Sequence, residues 1–373
     1  MTAPLLFHDP YIEWVQQQRA EWFDHDLGAS GLVLAWDWAA WGVDLAAAPA
    51  DAPNGCGYEP LRCRIAARLG VRPEQVLLAP GCTGANALVL AALVRRGDRV
   101  AVETPVYSPP VSVARGLGAK LVRLPRRADD GWRLDLANRD AFMRRLEGCA
   151  LLFITNPHNP TGQVLDAADL TRIASACAAA GTVLVVDEIY REFPGAAGVP
   201  SAVGLGERVL VTSSVTKAYG LGGLRVGWIA GPVDLVDRCA AANQALLGRG
   251  SVVGEWLVDQ LMEREDRWRA LRETIAGRVE AGRAAADAFV RRRGELDWVR
   301  TEAGVCGLVK LPAGMSGHVL AARARERGRV FLVPGEFFGA PGYVRLSFGA
   351  GPARVAAGLA ALDAVLDAGT AMR

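Results

Sequence analysis

The chain has 373 residues, 51% of them hydrophobic and 22% charged, with a formal net charge of +2. This is ordinary for a globular protein, and too long for one small core: two domains, or one large α/β domain with an appendage, are expected. Near-neutral charge gives no reason to expect nucleic acid or an anionic membrane as partner, and no apolar run reaches the ~18 residues needed to cross a bilayer.

The N-terminus, MTAPLLFHDPYIEWVQQQR, lacks the basic start and apolar block of a signal peptide, and a helix is expected around residues 10–23. Residues 50–250 then alternate between two textures. Short apolar runs (RVAVETP, ALLFITNP, TVLVVDEIY, RVLVTSS) end in polar or Pro/Gly turns, and helical patterns over 85–96, 140–146 and 167–180 separate them. Strand, crossover helix, strand is the signature of a largely parallel sheet covered on both faces. From Ser251 a helical stretch runs to about Arg293, and strands VCGLVKLP, VFLVPG and YVRLSF follow, interleaved with helices, as a separate α+β lobe. The first 45 or so residues have too little regular pattern to stand alone and are expected to pack on that lobe. Seven cysteines without a C-x-x-C pair, mostly inside apolar runs, read as reduced thiols of a cytoplasmic protein. The four histidines form no metal-ligand spacing.

Ligands of open parallel sheets bind beyond the carboxyl ends of the strands, so the residues just past each apolar run belong together. In APGCTGANAL a tight turn enters a helix near Cys82 and Thr83, offering unpaired N–H groups and a helix dipole to a phosphate, or simply capping a helix. Tyr107 in ETPVYSPP packs a loop or stacks on a ligand ring. Asn159 in ITNPHNPTG closes a turn or holds a ligand oxygen. Asp187, in VVDEIY, ends a very apolar strand, where an unpaired carboxylate is costly. Only three lysines occur among 42 Lys and Arg, and Lys217 sits in the small, glycine-rich SSVTKAYGLGGLRVGW. Of the two basic residues only lysine can shed its proton near neutral pH and attack a carbonyl. Taken singly, each position has an ordinary structural explanation. Taken together they suit one ligand with a phosphate, a cationic aromatic nitrogen, a phenolic oxygen and an aldehyde: pyridoxal 5′-phosphate (PLP).

The ordered set GYEPLR, PGCTGANAL, TPVYSPP, TNPHNPTG, VVDEIY, SSVTKAYGLGGLRVGW and YVRLSF resembles the class I/II aminotransferase family of PLP enzymes, fold type I, over roughly residues 45–350. The resemblance implies an α/β fold. Its large domain (46–285) would carry a mostly parallel sheet of seven-stranded type covered by helices, and residues 1–45 with 286–373 would form a smaller α+β domain. It further implies that Lys217 forms the Schiff base, that Ser214 and Arg225 hold the phosphate with Cys82 and Thr83, and that Asp187 pairs with the pyridine nitrogen. Asn159 and Tyr190 would contact the ring hydroxyl oxygen, Tyr107 would stack on the ring, and Arg345 would grip the substrate α-carboxylate, with Asn159 and Gly31 also on the substrate side. The remaining lysines, Lys120 and Lys310, read as surface charges. A homodimer with active sites at the interface, acting on an α-amino acid, is implied as well.

Departures from the family pattern narrow this. Ala52 falls near the position of a tyrosine that reaches the neighbouring subunit's phosphate, and Cys82 replaces a commoner small residue. The segment DLGASGL resembles the SSG segment of capreomycidine-synthase-like enzymes, PLP-dependent cyclases of arginine derivatives, and also some archaeal-type aspartate aminotransferases. Trp36, Trp38 and Trp41 follow it, either as core packing or as rings lining a pocket for a bulky or cationic substrate. Transamination is the leading expectation; a lyase, a β/γ-replacement enzyme or a cyclase is the alternative, because the motif set is common to all. A PLP-sensing regulator is disfavoured, since the first family motif is reached by Gly57. A nicotinamide enzyme is excluded because Arg225 occupies the last glycine position of G-x-G-x-x-G.

Overall fold

The computed structural model describes residues 6–19, 23–51, 55–193, 198, 200–248 and 250–370; Ala52 lies outside them. Helix α1 (Pro10–Arg19) and a two-residue strand β1 (His25–Asp26) precede α2 (Glu59–Leu69). Alternation then sets in: β2 (Val76–Pro80), α3 (Gly81–Leu93), β3 (Arg99–Thr104), α4 (Ser108–Gly116), β4 (Lys120–Pro125) and α5 (Arg139–Leu146). It continues with β5 (Cys149–Thr155), α6 (Ala167–Ala180), β6 (Val183–Asp187), β7 (Val209–Ser214), β8 (Val226–Ala230) and α7 (Val233–Leu246). The long helical stretch is two helices, α8 (Val252–Glu263) and α9 (Glu265–Arg292). The last part contains β9 (Asp297–Trp298), β10 (Cys306–Lys310), α10 (Gly317–Gly328), β11 (Val330–Phe331), β12 (Val333–Pro334), β13 (Tyr343–Ser347) and α11 (Pro352–Thr370).

Seven strands form one sheet in the order β2-β8-β7-β6-β5-β3-β4. All pairings are parallel except those of β8, which runs antiparallel to both neighbours. The expected mostly parallel sheet is therefore present. Strands β6 and β7 are buried at every position, as continuous apolar runs covered on both faces must be. The reversal of β8 was not anticipated; its five residues are hidden in the tail of the glycine-rich segment, too short to show a period of their own.

A second sheet has the order β12-β13-β10-β9, antiparallel throughout, and places Arg345 of β13 between Leu308 and Val333. The N-terminal segment packs on this part of the chain. Strand β1 pairs with β11, and Tyr11, Trp14 and Phe23 pack on Phe331, Phe337 and Phe338. The helix expected over 10–23 ends at Arg19, followed by residues outside the described set. The helix expected over 85–96 begins at Gly81, whose φ of +74° makes the tight turn out of β2.

Beneath the carboxyl edge lies a buried ion pair. Arg126 meets Glu103 through Nε at 2.8 Å and Nη2 at 2.7 Å, and both side chains are fully enclosed. The other carboxylate oxygen of Glu103 accepts the Thr155 amide at 2.6 Å. Beside it, His158 Nε2 lies 3.0 Å from the Pro105 carbonyl and its Nδ1 2.6 Å from Thr161 Oγ1. Burial and the Arg126 charge hold the His158 pKa well below its usual value, so the ring is neutral. Neutral His158 then donates from Nε2 to Pro105 and accepts at Nδ1, tying the turn after β3 to the turn after β5. Removing one partner of such a pair strands the other charge. Glu103→Ala is expected to lower unfolding free energy by roughly 3–5 kcal/mol, and adding Arg126→Met to restore most of it, measured by denaturant titration.

Candidate active site

Because β8 reverses, its start lies at the same edge as the ends of β2, β5, β6 and β7. That edge opens on a cavity of about 130 Å³ lined by Cys82, Thr83, Asn86, Tyr107, Thr155, Asn159, Asp187, Ile189, Tyr190, Thr216, Lys217 and Arg225. Of the cofactor set read from sequence, all but Ser214 line it. Ser214 is buried just behind, its Oγ accepting the Thr216 amide at 3.2 Å. Lys120 and Lys310 are exposed and do not line this cavity.

Asp187 closes β6 with 3% of its surface exposed. Its Oδ2 accepts from Asn86 Nδ2 at 2.7 Å, and its Oδ1 from Cys82 Sγ at 3.1 Å and the Ile189 amide at 3.0 Å. Asn86 is itself fixed by the Thr212 hydroxyl, which donates to its Oδ1 at 2.6 Å. Burial pushes the Asp187 carboxyl up, against the pull of Asn86, Cys82, the Ile189 amide and the Lys217 charge. A cation on the cavity side would relieve that cost. Asn86 was missed from sequence, although it stands one helical turn after Cys82 on the same face of α3, which was the available signal. Cys82, noted as an odd residue, has a use here as a weak donor to the carboxylate.

At the opposite wall, Arg225 adopts φ +57° and donates through Nη2 to the Pro80 carbonyl at 3.0 Å and through Nη1 to Gly222 at 3.2 Å. A Cβ on Gly81 would come within 2.6 Å of Arg225 Nη2, so only glycine lets the guanidinium lie on this turn. Tyr107 hydrogen-bonds Thr83, and burial raises its pKa above the ordinary tyrosine value. Its ring stands edge-on to Tyr11, centroids 6.1 Å apart.

The residues expected on the substrate side converge from three parts of the chain. Arg345 is 1% exposed and has no carboxylate partner among the described residues. Its Nη1 donates to Asn159 Oδ1 at 3.3 Å and its Nη2 to Tyr11 Oη at 3.1 Å and the Gly28 carbonyl at 2.9 Å, while Nε has no partner. The rings of Phe338 and Tyr11 lie 4.9 and 5.7 Å from its guanidinium carbon. Gly31 lies against the lysine: a Cβ there would be 3.0 Å from Lys217 Cδ. The adjoining backbone is stitched to the site, with the Leu32 amide donating to the Lys217 carbonyl at 2.9 Å and the Tyr190 hydroxyl to the Ser30 carbonyl at 3.0 Å. Tyr11 and Ser30 were not singled out from sequence, since neither lies at a strand end. The three tryptophans do not line this cavity. Trp36 stacks on Trp38 (5.8 Å), contacts Trp41 (5.2 Å) and donates from its indole nitrogen to the Tyr219 carbonyl, all as packing.

Whether these residues fit PLP is tested by what they leave unsatisfied. Thr155 Oγ1 and Thr216 Oγ1, both in the cavity wall, and Arg345 Nε are buried without partners in the protein. A costly buried carboxylate, a guanidinium on a glycine turn and a lysine amine face the same space. That donor and acceptor set matches a phosphate, a pyridinium nitrogen and an aldehyde, and the residues fit the cofactor.

Next to Asp187, Glu188 points to the other side of the sheet, where its carboxylate accepts from Ser201 Oγ and the Ala202 amide (2.6 Å). Burial pushes it up to about 7. The folded pKa thus exceeds the unfolded value of about 4.3, so its contribution to stability is greatest below that value and is lost as pH rises through 7. Glu188→Gln is expected to gain roughly 3 kcal/mol relative to the parent between pH 4.5 and 8, read from urea unfolding at each pH.

The sequence model of the aminotransferase class I and II family matches residues 51–362. A probable N-succinyldiaminopimelate aminotransferase, DapC, of Mycobacterium tuberculosis is 36% identical over 259 residues, 64% of each chain, so the match spans a little under two thirds of that relative's length. Capreomycidine synthase of Streptomyces vinaceus is 30% identical over 84% of this chain and 80% of its own. Among solved structures, a PLP-dependent aminotransferase from Streptococcus suis superposes with a TM-score of 0.88 at 25% identity, covering 99% of both chains.

Proposed function

Since the chain belongs to the aminotransferase class I and II family, we propose that it is a PLP-dependent aminotransferase acting on an α-amino acid, with Lys217 as the cofactor-bonding amine. The observation that carries this reading is one cavity lined by a lysine amine and a buried aspartate, with the buried Arg345, which has no carboxylate partner among the described residues, hydrogen-bonded to Asn159 in its wall. Phosphate would be held by Arg225, Ser214, Thr83 and the helix start at Cys82, where unpaired N–H groups and the dipole favour an anion. Tyr107 would cover the ring, and Asn159 and Tyr190 would bond its phenolic oxygen. Bound there, PLP supplies an aldehyde for covalent attachment of the amino group and a cationic ring that accepts electrons from Cα.

The chain's own residues do the rest. Arg345 presents a planar fork that takes the substrate carboxylate in two parallel hydrogen bonds, and Nε and the Nη groups sit in surroundings that exclude water. Asp187, as an anion, would favour the protonated form of the ring nitrogen. Lys217 Nζ would take the substrate Cα proton and, in transamination, hold it for return. The protein is further inferred to work as a cytoplasmic homodimer whose part formed by 1–45 and 286–373 closes over substrate. All seven cysteines are free, which accords with a reducing compartment.

The likeness to capreomycidine synthase supports a second reading, a cyclase or replacement enzyme on the same site. Incubation of the PLP-loaded protein with a panel of amino acids, arginine derivatives and S-adenosylmethionine, followed by mass analysis, separates the two. A keto acid formed with loss of the amino nitrogen supports transamination; a product that keeps it supports the alternative. Arg345→Lys is expected to raise KM for the amino acid about 10–100-fold with a smaller effect on kcat, because the second hydrogen bond is lost. Lys217→Ala is expected to leave no cofactor attached after borohydride treatment.

A further inference from the structure

Ser30 has no assigned role, yet it touches the nitrogen on which the proposed chemistry depends. Lys217 Nζ donates to Ser30 Oγ at 2.8 Å. The serine is held in place independently of that bond. Asp26 Oδ1 accepts the amides of Gly28 (2.9 Å) and Ala29 (2.8 Å), fixing the turn, and the Ser30 carbonyl accepts from Tyr190. On either side, the Gly28 carbonyl binds Arg345 and the Leu32 amide binds the Lys217 carbonyl. The hydroxyl is therefore presented to the amine by a loop anchored at five points, and Gly31 keeps the approach open, since a Cβ there would press on the lysine stem.

We propose that Ser30 is a catalytic residue, whose hydroxyl oxygen receives the amine of Lys217 whenever that amine is not bonded to cofactor and aims it at the reacting carbon. The inference rests on the reading of Lys217 as the cofactor-bonding amine. Its chemistry is a hydrogen bond accepted from nitrogen, with no proton passing to the serine. Such a bond is stronger from an ammonium than from a neutral amine, so Ser30 favours the charged form. Other titratable or charged groups facing the amine are Asp187 and Tyr190 at the end of β6, Cys82 on α3, Cys306 on β10, and Tyr107 and Arg225 across the cavity, with Arg345 beyond. A change at Ser30 Oγ alters none of them.

Cofactor-free protein is mixed with PLP at pH values from 6 to 10, and covalent capture is followed by absorbance. In this step nitrogen adds to the aldehyde carbon and the aldehyde oxygen leaves as water. Only the neutral amine attacks, so the rate rises with pH through the amine's midpoint. Ser30→Ala, which keeps the backbone carbonyl for Tyr190, is expected to lower that midpoint by about one pH unit, and Ser30→Gly to do the same. Ser30→Thr, which returns an oxygen, is expected to restore it. A midpoint unmoved in both Ala and Gly variants, or a Thr variant displaced as far as the Ala variant, overturns the proposal. Parent protein that captures no PLP at any pH overturns the underlying reading of Lys217 instead.

Discussion

A guanidinium fully enclosed by protein and lacking a carboxylate partner among the described residues is the constraint around which this molecule is arranged. Isolated buried charge is among the most expensive things a fold can hold. Arg345 is tolerated because an amide oxygen, a phenol and a backbone carbonyl share its N–H groups and two aromatic faces lie against it. Those partners come from the turn after β5, from α1 and from the segment after β1, while Arg345 itself sits in β13, an inner strand of the second sheet. One side chain thus pins together the N-terminal segment, the antiparallel sheet and the edge of the seven-stranded sheet.

Asp187 is the complementary case. Here the negative charge is buried, and a small polar cluster of Asn86, Cys82 and Thr212 orients it without neutralising it. Asp187 lines the cavity directly, and Arg345 reaches its wall through Asn159, so anion and cation are both held short of full satisfaction around it. Below it, Glu103, Arg126 and His158 fix the turns bearing Tyr107 and Asn159, and that ion pair has its partners within the protein.

The parallel strands were legible because each is an apolar run ending in a turn, and the helix over Ala167–Ala180 matched its pattern to the residue. The convergence of residues at strand ends was legible for the same reason: topology brings Cys82, Tyr107, Asn159, Asp187 and Lys217 to one cavity. Asn86, Ser30 and Tyr11 were not, since their place depends on a helix face and on contacts with residues far along the chain. Tyr11 and Arg345 are 334 positions apart, and nothing local in YIEW announces that pairing. The tryptophans illustrate the converse: a conspicuous cluster in sequence proves to be packing against the backbone near Tyr219.

Gly28 and Arg345, joined by a backbone hydrogen bond, are separated by 317 residues. Every strand of the seven-stranded sheet lies between those two positions, as do Asp187 and Lys217. The contact therefore closes a loop that encloses the whole sheet. The entropic cost of such closure grows only slowly with loop length, so a link spanning this much chain costs little more than a far shorter one would.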